Sequence, residues 1–227
     1  MKKILSTAVA VAALASAADA KGFNGFYAGM GIGMSALHST FKVGDINNVA
    51  SDRVHGQTVS PVLDIFLGYN KVFQNCFSVG GEFTSDFTFN NKKILSRIYV
   101  RNTQVKRDSY SWGLLAKFGM QFNQKTLAFI GLGVKSQNVK YIYSQSNPSG
   151  TSFAFSLKNN KLRPAYQIGF ENLLPGDAVA LRMAYTFVQG SKKSRANIAS
   201  PNFTFINGKA SAKNNEHLVK LGISYRF

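Results

Sequence analysis

Three histidines and one cysteine are the side chains best suited to acid–base, metal or redox chemistry in this 227-residue sequence. They are His38, His55, His217 and Cys76. A zinc site needs several ligands at close spacing, and the sequence offers no such group. Cys76 has no partner for a disulfide and is interpreted as an incidental small residue. The sequence therefore predicts no metal site and no cofactor.

His38 and His217 are the candidate catalytic bases, because a nucleophile needs a base within hydrogen-bond reach. They lie near opposite ends of the chain, so they meet only if the first and last structural elements are neighbours. The nearby serines Ser35 and Ser39 are too common a residue type to be specific, and no motif supplies an orienting acid. We therefore predict no catalytic residues and interpret the histidines as polar residues at a rim.

Alternating apolar and polar residues define the segments that would position these groups. The last eleven residues show the pattern most clearly: Val219, Leu221, Ile223, Tyr225 and Phe227 form an apolar row, and the other row is small or charged after Leu218. A period of two marks a strand whose two faces meet different environments. The length fits a tilted strand that crosses a bilayer in about 9–11 residues. A closing aromatic suits the girdle where a membrane barrel meets water.

Eight such segments are predicted, at 26–38, 59–69, 77–89, 110–122, 126–136, 162–172, 178–188 and 217–227. The register of the fifth places Leu127 and Phe129 inside. The connections alternate between long (39–58, 90–109, 137–161, 189–216) and short (70–76, 123–125, 173–177). In outer-membrane barrels the short turns are periplasmic and the longer loops are extracellular. The sequence predicts an all-β fold: an eight-stranded antiparallel up-and-down transmembrane β-barrel with both termini periplasmic.

The third long connection, 137–161, has a further pattern of its own. Aromatic and β-branched residues flank Asn147-Pro148-Ser149-Gly150. This arrangement predicts a hairpin that extends the barrel into solvent. The fourth connection contains Asn207-Gly208, which is a strong hairpin-turn signal.

Two motifs at the ends of the predicted barrel resemble a known family. The ending Tyr225-Arg226-Phe227 resembles the C-terminal assembly signal of bacterial outer-membrane barrels, and the segment 25–33 resembles the first strand of small OmpA/opacity-type barrels. The resemblance implies a Gram-negative outer-membrane protein with a role in adhesion, envelope integrity or host contact. It also implies that the barrel-assembly machinery recognises Tyr225 and Phe227. A few barrels of this size modify lipid A with a histidine-containing pair, so a lipid A-modifying enzyme is one alternative.

The first twenty residues are predicted to be a secretory signal peptide, which leaves a barrel domain of residues 21–227. Lys2 and Lys3 precede a mostly apolar stretch, and Ala18-Asp19-Ala20 has the small-x-small form of a cleavage site.

Ten charged residues fall on the inward face of the predicted strands. They are Asp64, Glu82, Asp86, Lys117, Lys135, Arg163, Glu171, Arg182, Lys220 and Arg226. Charges inside a narrow barrel must be paired or hydrated. Eight strands leave room for little besides side chains. We predict a salt-bridge network that plugs the lumen, and an ion path through a small porin is the alternative.

Most of the net charge of +17 lies in the predicted long connections. Candidate residues for binding an anionic ligand are Lys92, Lys93, Arg97, Arg101, Lys106, Arg107, Lys192, Lys193 and Arg195. Strong charge is informative about partners rather than fold. The predicted partners are outer-membrane lipid and lipopolysaccharide, or acidic glycans or proteins of a host, with no nucleic acid. A solvated basic surface that keeps the chain soluble during export is the competing interpretation.

Overall fold

A computed structural model describes residues 22–43, 52–89, 92–98, 101–146, 152–190, 193–195 and 210–227. The predicted signal peptide, Asn207-Gly208 and Lys192 lie outside these residues. The strands are β1 (Gly25–Val43), β2 (Asp52–Val72), β3 (Phe77–Thr88), β4 (Lys92–Ile98), β5 (Arg101–Arg107), β6 (Tyr110–Asn123), β7 (Thr126–Ser146), β8 (Ser152–Leu173), β9 (Val179–Val188), β10 (Lys193–Arg195) and β11 (Ala210–Arg226). No helix in this described part of the chain is long and apolar enough to cross a membrane.

Eight of these strands close into an antiparallel barrel, as the sequence predicts. The order around it is β1, β2, β3, β6, β7, β8, β9 and β11, and β11 pairs with β1 to complete the ring. The pairing of β7 with β8 runs from Thr126 opposite Asn172 to Ser146 opposite Ser152. Closure leaves no unpaired edge, which the hydrocarbon core of a bilayer requires. The predicted fold class is confirmed.

The remaining strands prolong the barrel beyond one rim. The hairpin β4–β5 continues β3 and β6, and β5 pairs with the far half of β7, from Arg107 opposite Val139 to Arg101 opposite Gln145. Strand β10 pairs with the start of β11. The prediction treated 90–109 as a connection without strands, and it made β1, β2 and β11 too short. The hairpin predicted over 137–161 is confirmed by the pairing of β7 with β8 out to Ser146 opposite Ser152, and its predicted turn at 147–150 lies outside the described residues. Hydrogen-bonded pairing continues past the apolar outer band, whereas apolar alternation marks only the part where the two faces meet different surroundings.

The outer face of the barrel is apolar and exposed, which inverts the usual arrangement of a water-soluble protein. Ile32 is 69% exposed and Leu221 is 57% exposed, whereas Asp86 on the inner face is 0% exposed. Outward aromatic rings lie near both ends of the barrel, as for Phe26 against Tyr69 and Phe87 against Tyr110. This is the pattern of a barrel whose lipid-facing band is bounded by aromatic girdles.

Inward apolar side chains fill space between the charges, and glycines on neighbouring strands make room for them. Leu127 and Phe129 point inside, 0% and 3% exposed, as the register of the fifth predicted strand requires. A Cβ atom built on Gly169 would stand 2.6 Å from Cζ of Phe129, and one on Gly68 would stand 2.5 Å from the hydroxyl oxygen of Tyr27. Glycine at these positions is required by close approach.

Substituting Gly68 by valine is expected to destabilise the barrel by about 1–3 kcal/mol, which is the usual cost of overpacking. The added Cβ would also lie 2.6 Å from the backbone carbonyl oxygen of Gly81, which cannot move as a side chain can. Gly81→Val is the matched control, because a Cβ there meets nothing within 4 Å. The measurement is urea unfolding of the refolded barrel in detergent, and equal midpoints for the two variants would contradict this packing.

Candidate functional site

The barrel interior is the most highly structured polar site among the described residues. All ten predicted inward residues lie there, each no more than 5% exposed. They fall into three clusters along the barrel axis. The turn-side cluster lies near the chain ends and the short turns, the rim cluster lies near the opposite rim, and the middle cluster lies between them.

The turn-side cluster comprises Tyr27, Glu82, Lys117, Glu171, Arg182 and Arg226. Arg182 donates two hydrogen bonds of 2.7 Å to the two carboxylate oxygens of Glu82, a bidentate arrangement. Lys117 joins the two acids, because its Nζ lies 3.2 Å from Glu82 and 2.9 Å from Glu171. Arg226 pairs with the other oxygen of Glu171, and the Tyr27 hydroxyl donates to Glu82 at 2.8 Å. Every carboxylate in this cluster is therefore balanced by more than one cation.

Aromatic rings enclose the cations of the turn-side cluster. Lys117 Nζ lies 3.9 Å from the ring centroid of Phe129, and the guanidinium carbon of Arg182 lies 4.3 Å from that of Phe66. A cation over a ring face is attracted by the ring quadrupole, more strongly when water is excluded. The rings fill volume and also stabilise the buried charges.

The middle cluster comprises Asp64, Asp86, Lys135 and Lys220. Asp64 and Asp86 are paired directly across β2 and β3, where two like charges would repel each other. Lys220 relieves that repulsion, since its Nζ lies 3.1 Å from Asp64 and 2.7 Å from Asp86. Lys135 contacts the second oxygen of Asp86 at 2.5 Å. These residues come from four strands, so the cluster ties together distant parts of the wall.

The rim cluster contains two residues that the sequence interpretation placed in loops. Arg107, predicted as an anion-binding loop residue, is buried and pairs with the buried Glu216. Ser35 and Gln137 each donate a 2.6 Å hydrogen bond to Glu216. The physical reason is strand length: β5 and β11 continue beyond the apolar bands, so these two positions point into the lumen. Glu216 shares the alternate row of Leu218 and Lys220, and that row was the signal for its position.

Arg163 completes the rim cluster as predicted for an inward residue. It is 0% exposed and donates to the Gln137 side chain at 2.7 Å. It also donates to the backbone carbonyl of Asn214 at 3.4 Å. Its hydrogen bonds therefore connect β8 to β7 and β11.

Burial of every one of these side chains means that the lumen holds no water-wide path along them. A channel open to water would expose the cations and carboxylates that line it. Five carboxylates, those of Asp64, Glu82, Asp86, Glu171 and Glu216, are instead covered by neighbouring side chains. The arrangement is suited to holding the wall together and closing the lumen.

The candidate bases His38 and His217 come together at the rim, but on the outer face. Their ring centroids are 5.2 Å apart, and the Tyr185 hydroxyl lies 2.6 Å from Nδ1 of His217. Ser35 and Ser39 are buried on the inner face, so the wall of the barrel separates these hydroxyls from the histidines. No group of three or more His, Cys, Asp or Glu side chains able to hold a metal occurs among the described residues.

The remaining predicted site residues lie at the two ends of the barrel. Lys92, Lys93 and Arg97 belong to β4, Arg101 and Lys106 to β5, and Lys193 and Arg195 to β10. Lys106 is exposed. At the other end, the rings of Tyr225 and Phe227 contact each other with centroids 5.0 Å apart. Cys76 is exposed in the β2–β3 turn with a φ of 66°.

The comparison with protein families gives a match over almost the whole chain. Residues 5–227 match the family model described as "Outer membrane protein beta-barrel domain". No match is found among curated proteins. Among solved structures, similarity is found to Ail, the attachment invasion locus protein of Yersinia pestis, at 15% identity over 88% of this chain and 98% of that one, with a TM-score of 0.38.

Two further solved structures are similar at the same low level of identity. The outer membrane protein OprG from Pseudomonas aeruginosa is 14% identical over 92% of this chain and 100% of its own, with a TM-score of 0.48. The outer membrane protease OmpT from Escherichia coli is 11% identical over 88% of this chain and 97% of its own, with a TM-score of 0.36.

Removing one member of the Glu82–Arg182 pair is expected to cost about 3–5 kcal/mol of stability, because the other charge stays buried without its partner. Glu82→Ala and Arg182→Ala should each lower the urea midpoint in detergent. The double variant should cost less than the sum of the two. Asp108→Ala, which removes an exposed carboxylate, is the control and should change stability by no more than about 0.5 kcal/mol. Single variants as stable as this control would refute the buried pair.

Proposed function

The chain belongs to the outer membrane protein beta-barrel domain family, and on that premise we propose that it is a non-enzymatic barrel with a closed lumen. Its basic extension, which is β4, β5 and β10 together with the parts of β7 and β8 beyond the rim, would bind anionic partners at the cell surface. Membership of this family places the protein in the bacterial outer membrane. It also confirms the resemblance to small outer-membrane barrels that the two end motifs indicated. The observation that carries the proposal is the buried charge network, since it leaves the surface beyond the rim as the part free to interact.

Orientation is part of the proposal. The three short turns, β2–β3, β6–β7 and β8–β9, lie at the same end as the first residue of β1 and the last of β11. Short turns are periplasmic in barrels of this class. Both termini would then face the periplasm, where the barrel-assembly machinery would recognise Tyr225 and Phe227. The extension beyond the opposite rim would be extracellular.

The extension is suited to binding because it combines a paired backbone with excess positive charge. Its hairpins are hydrogen-bonded to the barrel strands, and binding residues are commonly displayed on a rigid scaffold in this way. The connection 90–109 carries five cations besides Arg107 and one acid, Asp108. Pairing of Arg107 with Glu216 removes one charge of each sign from the surface, so the net positive charge of the extension is unaffected by their burial.

The chemistry of the partner follows from this charge. Phosphate groups of lipopolysaccharide and acidic glycans or proteins of a host are the proposed classes of ligand. Attraction between exposed charges acts over about 8 Å at physiological salt, so binding should weaken as salt rises. Adhesion and envelope integrity are the roles that such contacts would serve. The histidine pair adds no support for lipid A modification, because neither Ser35 nor Ser39 shares its face.

Neutralising Lys92, Lys93, Arg97 and Arg101 with glutamine is expected to weaken heparin binding at low salt by at least about tenfold, since each cation near an anionic surface contributes about 1 kcal/mol. Heparin is the soluble probe, and affinity is measured on refolded full-length barrel in a zwitterionic detergent. Lys71→Gln/Lys125→Gln removes exposed charge at the turn end and should have little effect per charge removed. Wild-type affinity in the quadruple variant would mean that the basic hairpin is a solvated surface only.

A further inference from the structure

Four lysines from four adjacent strands stand in one register row. Lys92 of β4 pairs with Lys106 of β5, Lys106 pairs with Lys140 of β7, and Lys140 pairs with Lys158 of β8. Residues paired directly across antiparallel strands share a face of the sheet. Neighbouring strands are about 4.8 Å apart, so the row spans roughly 14 Å. This alignment depends on strand pairing and involves positions up to 66 residues apart in sequence.

Lys106 and Lys140, at the centre of the row, lie on the outer, lipid-side face of the sheet. Lys140 continues the outward row of Ile130, Leu132 and Val134 along β7, and Lys106 and Lys140 are both exposed. Within the described residues, neither lysine forms an ion pair. The nearest acid by register is Asp108, whose amide donates to the carbonyl of Asn138, one step nearer the apolar band.

Lys140 lies close to the headgroup layer of a membrane. Leu162, 56% exposed, is on the outer face of β8 and pairs with Ser136 of β7, and Lys140 lies four residues beyond Ser136. Four residues rise about 13 Å along a strand, or roughly 10 Å along the normal at the tilt of such barrels. Headgroups extend about 5–8 Å beyond the hydrocarbon on each side. Flexible lysine stems can reach back over that difference.

Like charges placed directly opposite each other destabilise a sheet, so the exposed pair Lys106 and Lys140 favours a compensating anion. The face and the height both favour an anion that belongs to the surrounding membrane over a soluble glycan, which would approach the tips of the hairpins. Resting on the proposed function and specifying its partner, we infer that Lys106 and Lys140 bind the phosphate groups of outer-leaflet lipid. The pair would then hold a phosphorylated lipid against one side of the barrel, over β5 and β7.

The test is binding of diphosphoryl lipid A to refolded full-length barrel, followed by native mass spectrometry in detergent. Lys106→Gln/Lys140→Gln should weaken binding by about tenfold or more, given the contribution expected per surface cation. Dephosphorylated lipid A should bind wild type and variant alike. Removing two like charges relieves repulsion and should not unfold the barrel. The variant should therefore show the same change of gel mobility on boiling as wild type, which would show that it is folded.

The matched control is Lys42→Gln/Lys213→Gln, which removes two exposed charges near the same rim but on β1 and β11. It should retain wild-type affinity for diphosphoryl lipid A. Equal weakening in both double variants would contradict specific binding at Lys106 and Lys140. It would leave only a general attraction between the positively charged barrel and the anionic lipid. Unchanged lipid A binding in Lys106→Gln/Lys140→Gln, with heparin binding still dependent on the β4–β5 hairpin, would also contradict specific binding there and leave the proposed function standing. Failure of wild type to bind either anion would overturn both.

Discussion

Compensation of buried charge is the constraint on which this barrel depends. Eight strands enclose a lumen too narrow for bulk water, yet charged residues occupy it from the turn end to the rim. A charge in such a place is costly unless it is paired and hydrogen-bonded. Glu82 meets this condition with Arg182, Lys117 and Tyr27 together. The same contacts that make the charges tolerable also cross-link opposite walls, so closing the lumen and holding the barrel in shape are one arrangement.

The same strands carry apolar side chains on their outer face, which suits contact with lipid. Each strand alternates between lipid and lumen, so residues such as Leu221 and Lys220 are sequence neighbours with opposite surroundings. Beyond the rim this distinction ends, while backbone pairing continues into β4, β5 and the far halves of β7 and β8. The consequence is a paired backbone beyond the rim, on which Lys106 and Lys140 stand opposite each other. Under the proposed function, surface binding and stability in the lumen would both depend on one continuous hydrogen-bond ladder.

The sequence predicts most of this architecture because alternation is a local signal. The positions of Asp64, Lys117 and Arg182 follow directly from which row of a strand they occupy. Arg107 escaped prediction because it lies where alternation fades, and only the pairing of β5 with β7 shows which way it points. Glu216 continues the inward row of Leu218 and Lys220, but the prediction began the last strand one residue after it. Partners within the lumen, such as Lys220 with Asp64 and Asp86, and the lysine row itself, depend on register between strands far apart in the chain. No local pattern contains that information.

The central claim, that paired side chains close the lumen, is tested most directly by planar-bilayer conductance of the refolded full-length protein. The account predicts that the barrel inserts without stable channels, even at high salt, because the ion pairs are buried rather than solvated. A matched preparation carrying Glu82→Ala/Arg182→Ala should show at most brief, irregular openings. Wild-type protein that passes currents in stable nanosiemens steps would contradict the account and identify the protein as a small porin.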